Sequence, residues 1–207
     1  MRVLLSLLAV FVILVANEIW WRKRRTHGEF SRKFVHVTVG SFVAFWPFFL
    51  SWRTVEWLSL AFVVVVLISK ALNIFTAIHS VQRLTWGELC FALSVGTVAF
   101  ATHDKWIYMA SLLQMSIADG LAAVVGVRFG RSNTYTILKR TKSMVGTLTF
   151  FVASVIILTV YKKYSGDHLT TQFIIGLSVL ASLLENVSIN GLDNLFVPLV
   201  VALFLSR

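Results

Sequence analysis

Four short clusters in this chain hold residues whose types and spacing suit phosphate chemistry. The first is Glu29-x-x-Arg32-Lys33-x-x-His36-x-x-x-Gly40. Its four-residue steps put Arg32, His36 and Gly40 on one face of a helix. A cation followed one turn deeper by an imidazole makes an anion-binding edge, with Arg32 and Lys33 on the phosphate and His36 able to polarise or shuttle a proton near neutral pH. Positive-inside anchoring with a hydrogen-bonded histidine accounts for the same residues equally well. The second cluster is Asp119-x-x-Ala122-x-x-x-Gly126-x-x-x-Gly130, with the carboxylate inside an apolar run. A charge at membrane depth costs about 2.5–3.5 kcal/mol on insertion scales. Asp119 is therefore expected to face a cavity, a metal or a partner. Gly126 and Gly130 also form a G-x-x-x-G pair, an ordinary device for close helix packing.

The third cluster ends the loop 128–146 with Lys139-Arg140-Thr141-Lys142-Ser143-Met144-Val145-Gly146-Thr147. Cations, hydroxyls and a glycine just before a helix can cradle phosphates at its N-terminus. The chain has no G-x-x-x-x-G-K-[ST], which excludes a Walker nucleotide site. In the fourth cluster, Ser178, Ser182 and Glu185 share a helix face, and Asn190-Gly191-Leu192-Asp193-Asn194 follows. Asp193 and Asn194 are hard oxygen ligands of the kind Mg²⁺ or Ca²⁺ takes. Taken alone, they read equally as a helix cap at a turn. Together the clusters supply the parts of phosphoryl transfer: cations for the transferring oxygens, carboxylates for a divalent metal, and a base for the attacking hydroxyl. On this reading Asp119 and Asp193 hold the metal, and Lys139, Arg140 and Lys142 neutralise charge. Either His36 or Glu185 takes the proton.

The elements that must position these residues are membrane helices. The 207 residues are 57% hydrophobic and 14% charged, with a mean hydropathy of +0.82, whereas soluble domains are about one quarter charged. In lipid every backbone polar group must be satisfied internally, which leaves helices or a closed barrel. The apolar runs do not alternate as barrel strands do. The expected fold is all-α, a single polytopic domain of seven or eight transmembrane helices near 3–21, 34–50, 55–78, 86–101, 106–127, 144–161, 172–188 and 192–206. The last two are separated by a short polar break that also suits one re-entrant unit. Residues 1–16 resemble a signal peptide, but the strong charge cluster Arg22-Lys23-Arg24-Arg25 follows the apolar stretch and no clear small-x-small cleavage site appears, so they read as a first membrane helix.

The formal net charge of +10 would suggest nucleic acid in a soluble protein. Here the cations sit in short loops, and nucleic-acid binding is not expected. Loops 22–33, 79–85 and 128–143 carry Arg22, Lys23, Arg24, Arg25, Arg32, Lys33, Arg83, Arg128, Arg131, Lys139, Arg140 and Lys142, against Arg2, Arg53, Lys105, Lys162, Lys163 and Arg207 on the other side. The positive-inside rule then places those loops and 189–193 in the cytoplasm and the N-terminus outside. Every cluster falls on the cytoplasmic side, where a nucleotide is found. Cys90 is the only cysteine, so no disulfide or cysteine metal cluster forms within the chain. No motif fixes an oligomeric state.

Taken in order, Arg32-Lys33-x-x-His36-x-x-x-Gly40, Asp119-x-x-Ala122-x-x-x-Gly126-x-x-x-Gly130, Lys142-Ser143-x-x-Gly146-Thr147 and Glu185 with Leu192-Asp193-Asn194-x-x-x-Pro198 resemble the polyprenol kinase family. That family takes in dolichol, phytol and farnesol kinases and the CTP-dependent diacylglycerol kinase of fungi, and is related to phosphatidate cytidylyltransferases. The resemblance spans about residues 18–200. It implies a CTP-dependent kinase acting on an isoprenoid or glyceride alcohol with a divalent cation, in the cytoplasmic membrane of a prokaryote or in the endoplasmic reticulum or plastid of a eukaryote. It associates Asp119, Gly126, Gly130, Lys142, Ser143 and Gly146 with CTP. One departure is Val145, where the family often has Glu. The alternatives are a cytidylyltransferase that moves CMP to a lipid phosphate, and a transporter or scaffold without turnover.

Overall fold

A computed structural model describes residues 1–24, 29–71, 86–138 and 140–207; the side chains of 21–32, 69 and 70 lie outside that description. The chain is mostly helical. Helix α1 spans Arg2–Arg24, α2 Glu29–Ala44, α3 Trp52–Ala71 and α4 Gly87–Ala101. Helix α5, Lys105–Leu113, runs through a π-helical turn at Gln114–Ala118 into α6, Asp119–Phe129. After a hairpin, α7 covers Met144–Ser165, α8 Thr171–Val187 and α9 Asp193–Leu205. Among the described residues, three helical stretches are long and apolar enough to cross a bilayer: Arg2–Trp20, Lys105–Phe129 and Met144–Ser165. Shorter apolar helices accompany them.

The outer surface is that of a protein surrounded by lipid. Leu4, Phe11, Trp57, Phe100, Leu148 and Ile156 all keep more than half of their surface exposed. Soluble monomers rarely expose apolar patches of more than a few hundred Å². The inner surface is closely packed around α5 and its π turn, where Tyr108, Leu112, Gln114 and Met115 are buried. Helices α2, α7 and α9 pack around this axis, α4 joins α9 to α3, and α1 attaches through α2. One tie at that outer joint is polar: the Asn17 amide donates to Thr38 Oγ1 at 3.3 Å.

The two ends of the bundle differ chemically. At one end, Phe48 meets Trp106 edge-on at 5.0 Å, Trp106 stacks with Tyr164 at 6.0 Å, and Trp52 lies against His103 at 5.6 Å. Lys105 sits over the Phe48 ring. Such aromatic rings suit the bilayer–water boundary. Asp104 starts α5 there by accepting from the Trp106 and Ile107 amides. The other end carries the four polar clusters.

Two expectations need correction. The all-α reading misses an antiparallel hairpin inside the loop 128–143, with β1 at Thr134–Ile137 and β2 at Arg140–Ser143. The helix expected at 34–50 ends at Ala44, and a 3₁₀ turn follows at Trp46–Phe48. Pro47 explains this, because it has no amide hydrogen and its ring collides with the carbonyl four residues back. The last two helices, expected at 172–188 and 192–206, fall at Thr171–Val187 and Asp193–Leu205. Asn190 and Gly191, both at positive φ, turn the chain sharply between them. A β-carbon on Gly191 would lie 2.4 Å from the Gly87 α-carbon, so only glycine lets α4 start beside this turn. The end of the helix expected at 55–78 and the loop 79–85 lie outside the described residues.

Candidate functional site

The polar end holds a pocket of about 610 Å³. It gathers Lys33 from α2, Asp119, Gly126 and Gly130 from α6 and its end, Arg140, Lys142 and Ser143 from the hairpin, Gly146 from α7, Glu185 from α8, and Asp193 and Asn194 from α9. These are eleven of the fourteen residues singled out from the sequence. Of the other three, Lys139 and the Arg32 side chain lie outside the described residues. His36 lies one layer behind the pocket. Its Nε2 meets the Met115 carbonyl at 3.2 Å, and its ring packs edge-on against Phe91 at 4.9 Å. From there its contact is to the π turn that leads into Asp119.

Asp119 follows directly on the π turn. The wider turn displaces one residue of the helical ladder, and such bulges recur at functional sites. The carboxylate is buried and ion-paired with Lys33 across the α2–α6 contact. Small residues allow that contact: a β-carbon on Gly40 would lie 2.6 Å from Ser116 Cβ, and one on Gly120 would lie 2.1 Å from a Val37 methyl.

Helices α6 and α7 meet backbone to backbone. A β-carbon at Gly126 would be 2.8 Å from Ser143 Oγ, and one at Gly146 would be 3.0 Å from the Ala122 carbonyl. Gly126, Gly130 and Gly146 are thus packing residues and pocket residues at once. Ser143 caps α7, its hydroxyl accepting from the Gly146 amide at 3.0 Å. The first-turn amides of α7 and their partial positive charge border the pocket, a setting that favours anions. Val145 is not among the pocket-lining residues.

The hairpin register pairs Tyr135 with Lys142 and Ile137 with Arg140. Side chains alternate across a strand, so these four share a face, and that face turns toward α8. Lys142 forms an ion pair with Glu185 and also donates to its carbonyl at 3.2 Å. Arg140 donates to Asn190 Oδ1 at 2.9 Å. The Tyr135 hydroxyl donates to Asn186 Oδ1 at 2.7 Å. Tyr135 carried no motif in the sequence; only its alternation with Ile137 hinted at a strand.

Asn194 is held by its amide, which donates to the Gly87 carbonyl at 2.9 Å. Its Oδ1 is buried with no hydrogen-bond partner among the described residues, and Asn194 is one of the residues lining the pocket. Pro198 withholds the amide that would pair with the Asn194 backbone carbonyl. No group of three or more His, Cys, Asp or Glu side chains forms a metal cage among the described residues. Mg²⁺ does not require one, since it is commonly held by one or two carboxylates plus substrate phosphates. Asp119, Asp193 and the unpaired Asn194 oxygen fit a cation bound in that manner.

The fold and pocket define a helical, lipid-surrounded protein with a basic, carboxylate-lined cavity at one polar end, chemically suited to a phosphorylated ligand. The chain is 34% identical over 199 residues to a phytol kinase of Synechocystis sp., covering 92% of this chain and 84% of that protein. It is 35% identical over 92 residues to a dolichol kinase of Saccharomyces cerevisiae, covering 42% of this chain and 17% of that protein. No family model matches the sequence, and no solved structure matches it. The chain belongs to the polyprenol kinase family, that of the phytol and dolichol kinases.

Proposed function

We propose that this protein phosphorylates an isoprenoid alcohol within the membrane, taking the phosphate from CTP at the cytoplasmic face. The observation that carries this reading is the pocket, where six elements bring carboxylates, cations and a capped helix N-terminus to one cavity. Both relatives are named for isoprenoid alcohols, which favours an isoprenoid over a glyceride acceptor. The positive-inside rule supports a cytoplasmic site and an outside N-terminus. Seven or eight spans remain the reading of the apolar runs.

Each described lysine in the pocket is paired with a carboxylate, Lys33 with Asp119 and Lys142 with Glu185. Donor phosphates compete for the lysines. As Lys33 and Lys142 turn to phosphate oxygens, Asp119 and Glu185 are released. Asp119 and Asp193, with Asn194 Oδ1, would hold Mg²⁺ against the donor phosphates, and the cation supplies neutralisation of the charge on the transferring oxygens. Arg140, and Lys139 beside it in the sequence, add positive charge. The partial positive charge at the start of α7, left open to close approach by Gly126, Gly130 and Gly146, favours phosphate oxygens beside it. Glu185, in the pocket, accepts the proton of the attacking hydroxyl. His36, behind the pocket, braces the π turn that leads into Asp119 through the Met115 carbonyl.

Replacing Asp119 with Asn keeps the side-chain volume and removes the charge. Transfer of the γ-phosphate to phytol in purified, lipid-reconstituted protein is expected to fall at least a hundredfold, with insertion into membranes unchanged. An Asp119→Asn variant that transfers at the wild-type rate would remove Asp119 from the chemistry.

A further inference from the structure

We infer that Tyr135 is a positioning residue, a clasp that fixes the β-hairpin on helix α8 and thereby sets Lys142 at the phosphate. This rests on the kinase reading above, although the clasp itself is a matter of geometry. Tyr135 stands directly across the hairpin from Lys142. The two side chains leave the hairpin on the same face and reach consecutive residues of α8, Asn186 and Glu185. Tyr135 does not itself line the pocket.

The receptor of the clasp is fixed in its orientation. Asn186 is buried, and its Nδ2 donates to the Ser182 carbonyl at 2.9 Å, which turns Oδ1 toward the hairpin. That oxygen lies 2.7 Å from the Tyr135 hydroxyl and 3.1 Å from the Thr147 hydroxyl, the two hydroxyls also meet each other, and their two protons bind the three oxygens into one cluster. Hairpin, α7 and α8 are thus tied at a single point. The need for such a tie follows from the size of the hairpin. Two four-residue strands are only marginally stable by themselves. The ion pair of Lys142 with Glu185 provides no permanent anchor, because it must open when Lys142 turns to phosphate. A neutral hydroxyl–amide contact one residue away does not compete with phosphate and stays closed.

The test is Tyr135→Phe, which removes one oxygen and keeps the ring. Two measurements apply. Hydrogen–deuterium exchange on the whole protein in lipid needs no turnover: amides of the hairpin are expected to exchange at least tenfold faster in the variant, with α5 and α6 unchanged. In steady-state kinetics the KM for the nucleotide is expected to rise about tenfold while kcat changes less than threefold. A double-mutant cycle with Lys142→Ala separates positioning from general weakening. If Tyr135 acts through Lys142, adding Tyr135→Phe to Lys142→Ala raises the nucleotide KM no further. Unchanged hairpin exchange would overturn the clasp whether or not the protein is a kinase. Faster exchange with an unchanged nucleotide KM, or with effects that simply add, would overturn its role through Lys142. Should the wild type transfer no phosphate, the kinase reading falls, and the exchange experiment still decides the clasp.

Discussion

At the scale of single residues, the site rests on two buried lysine–carboxylate pairs. Breaking a buried pair by removing one partner costs about 3–5 kcal/mol, because the other charge is left unpaired. Lys142 keeps 23% of its side chain exposed, which puts its cost at the low end of that range. Reversing the pair gives a sharp prediction. Lys142→Glu alone sets two carboxylates together and is expected to lower the melting temperature in detergent. Lys142→Glu combined with Glu185→Lys restores opposite charges and is expected to recover most of the lost stability. The double variant should still transfer no phosphate, since the lysine now sits on α8 instead of the hairpin and the proton-accepting carboxylate has moved from α8 to the hairpin. Activity in the reversed protein would make the pair purely structural.

At the scale of elements, the helix-to-helix contacts depend on glycine. Gly130 closes α6, and a β-carbon there would meet Ser143 Cβ at 2.4 Å. Overpacking of that kind costs about 1–3 kcal/mol. Gly130→Ala is expected to destabilise the protein by about that amount, read as a lower melting temperature, and to raise the nucleotide KM by displacing Ser143. Ser143→Ala removes the α7 cap and should cost about 1 kcal/mol; thermal unfolding checks both. The apolar runs announced the helices well, because lipid demands long apolar stretches and intrahelical hydrogen bonding. Three features stayed hidden. The 3₁₀ turn after Ala44 depends on Pro47, set in a run too apolar to show a break. The π turn before Asp119 arises from packing and leaves no periodic trace. The hairpin is built of Thr, Tyr, Arg and Lys, and its alternation is too short to stand out from a basic loop. The site residues were legible one by one, since charged residues in an apolar chain are conspicuous. Their pairing was not, because Lys33 meets Asp119 across 86 positions and Lys142 meets Glu185 across 43. Tyr135 was missed since nothing marks a tyrosine as a latch until the strand register places it opposite Lys142.

At the scale of the whole molecule, the polar pocket and the aromatic belt at opposite ends give the protein a direction across the membrane. Cys90 is buried, so cysteines introduced at exposed positions report topology with little background. In intact cells an impermeant maleimide is expected to label Lys163→Cys and to spare Arg131→Cys until the cells are opened. The opposite pattern would place the pocket outside, away from cytoplasmic nucleotide. The most direct measurement of the central claim is phosphate transfer by purified protein in lipid, with Mg²⁺, phytol and other lipid alcohols, and CTP or ATP labelled at the γ-phosphate. Label moving from CTP to an isoprenoid alcohol is the predicted result. No label on any alcohol, with CMP from α-labelled CTP appearing on phosphatidate instead, would contradict the kinase account and make the protein a cytidylyltransferase.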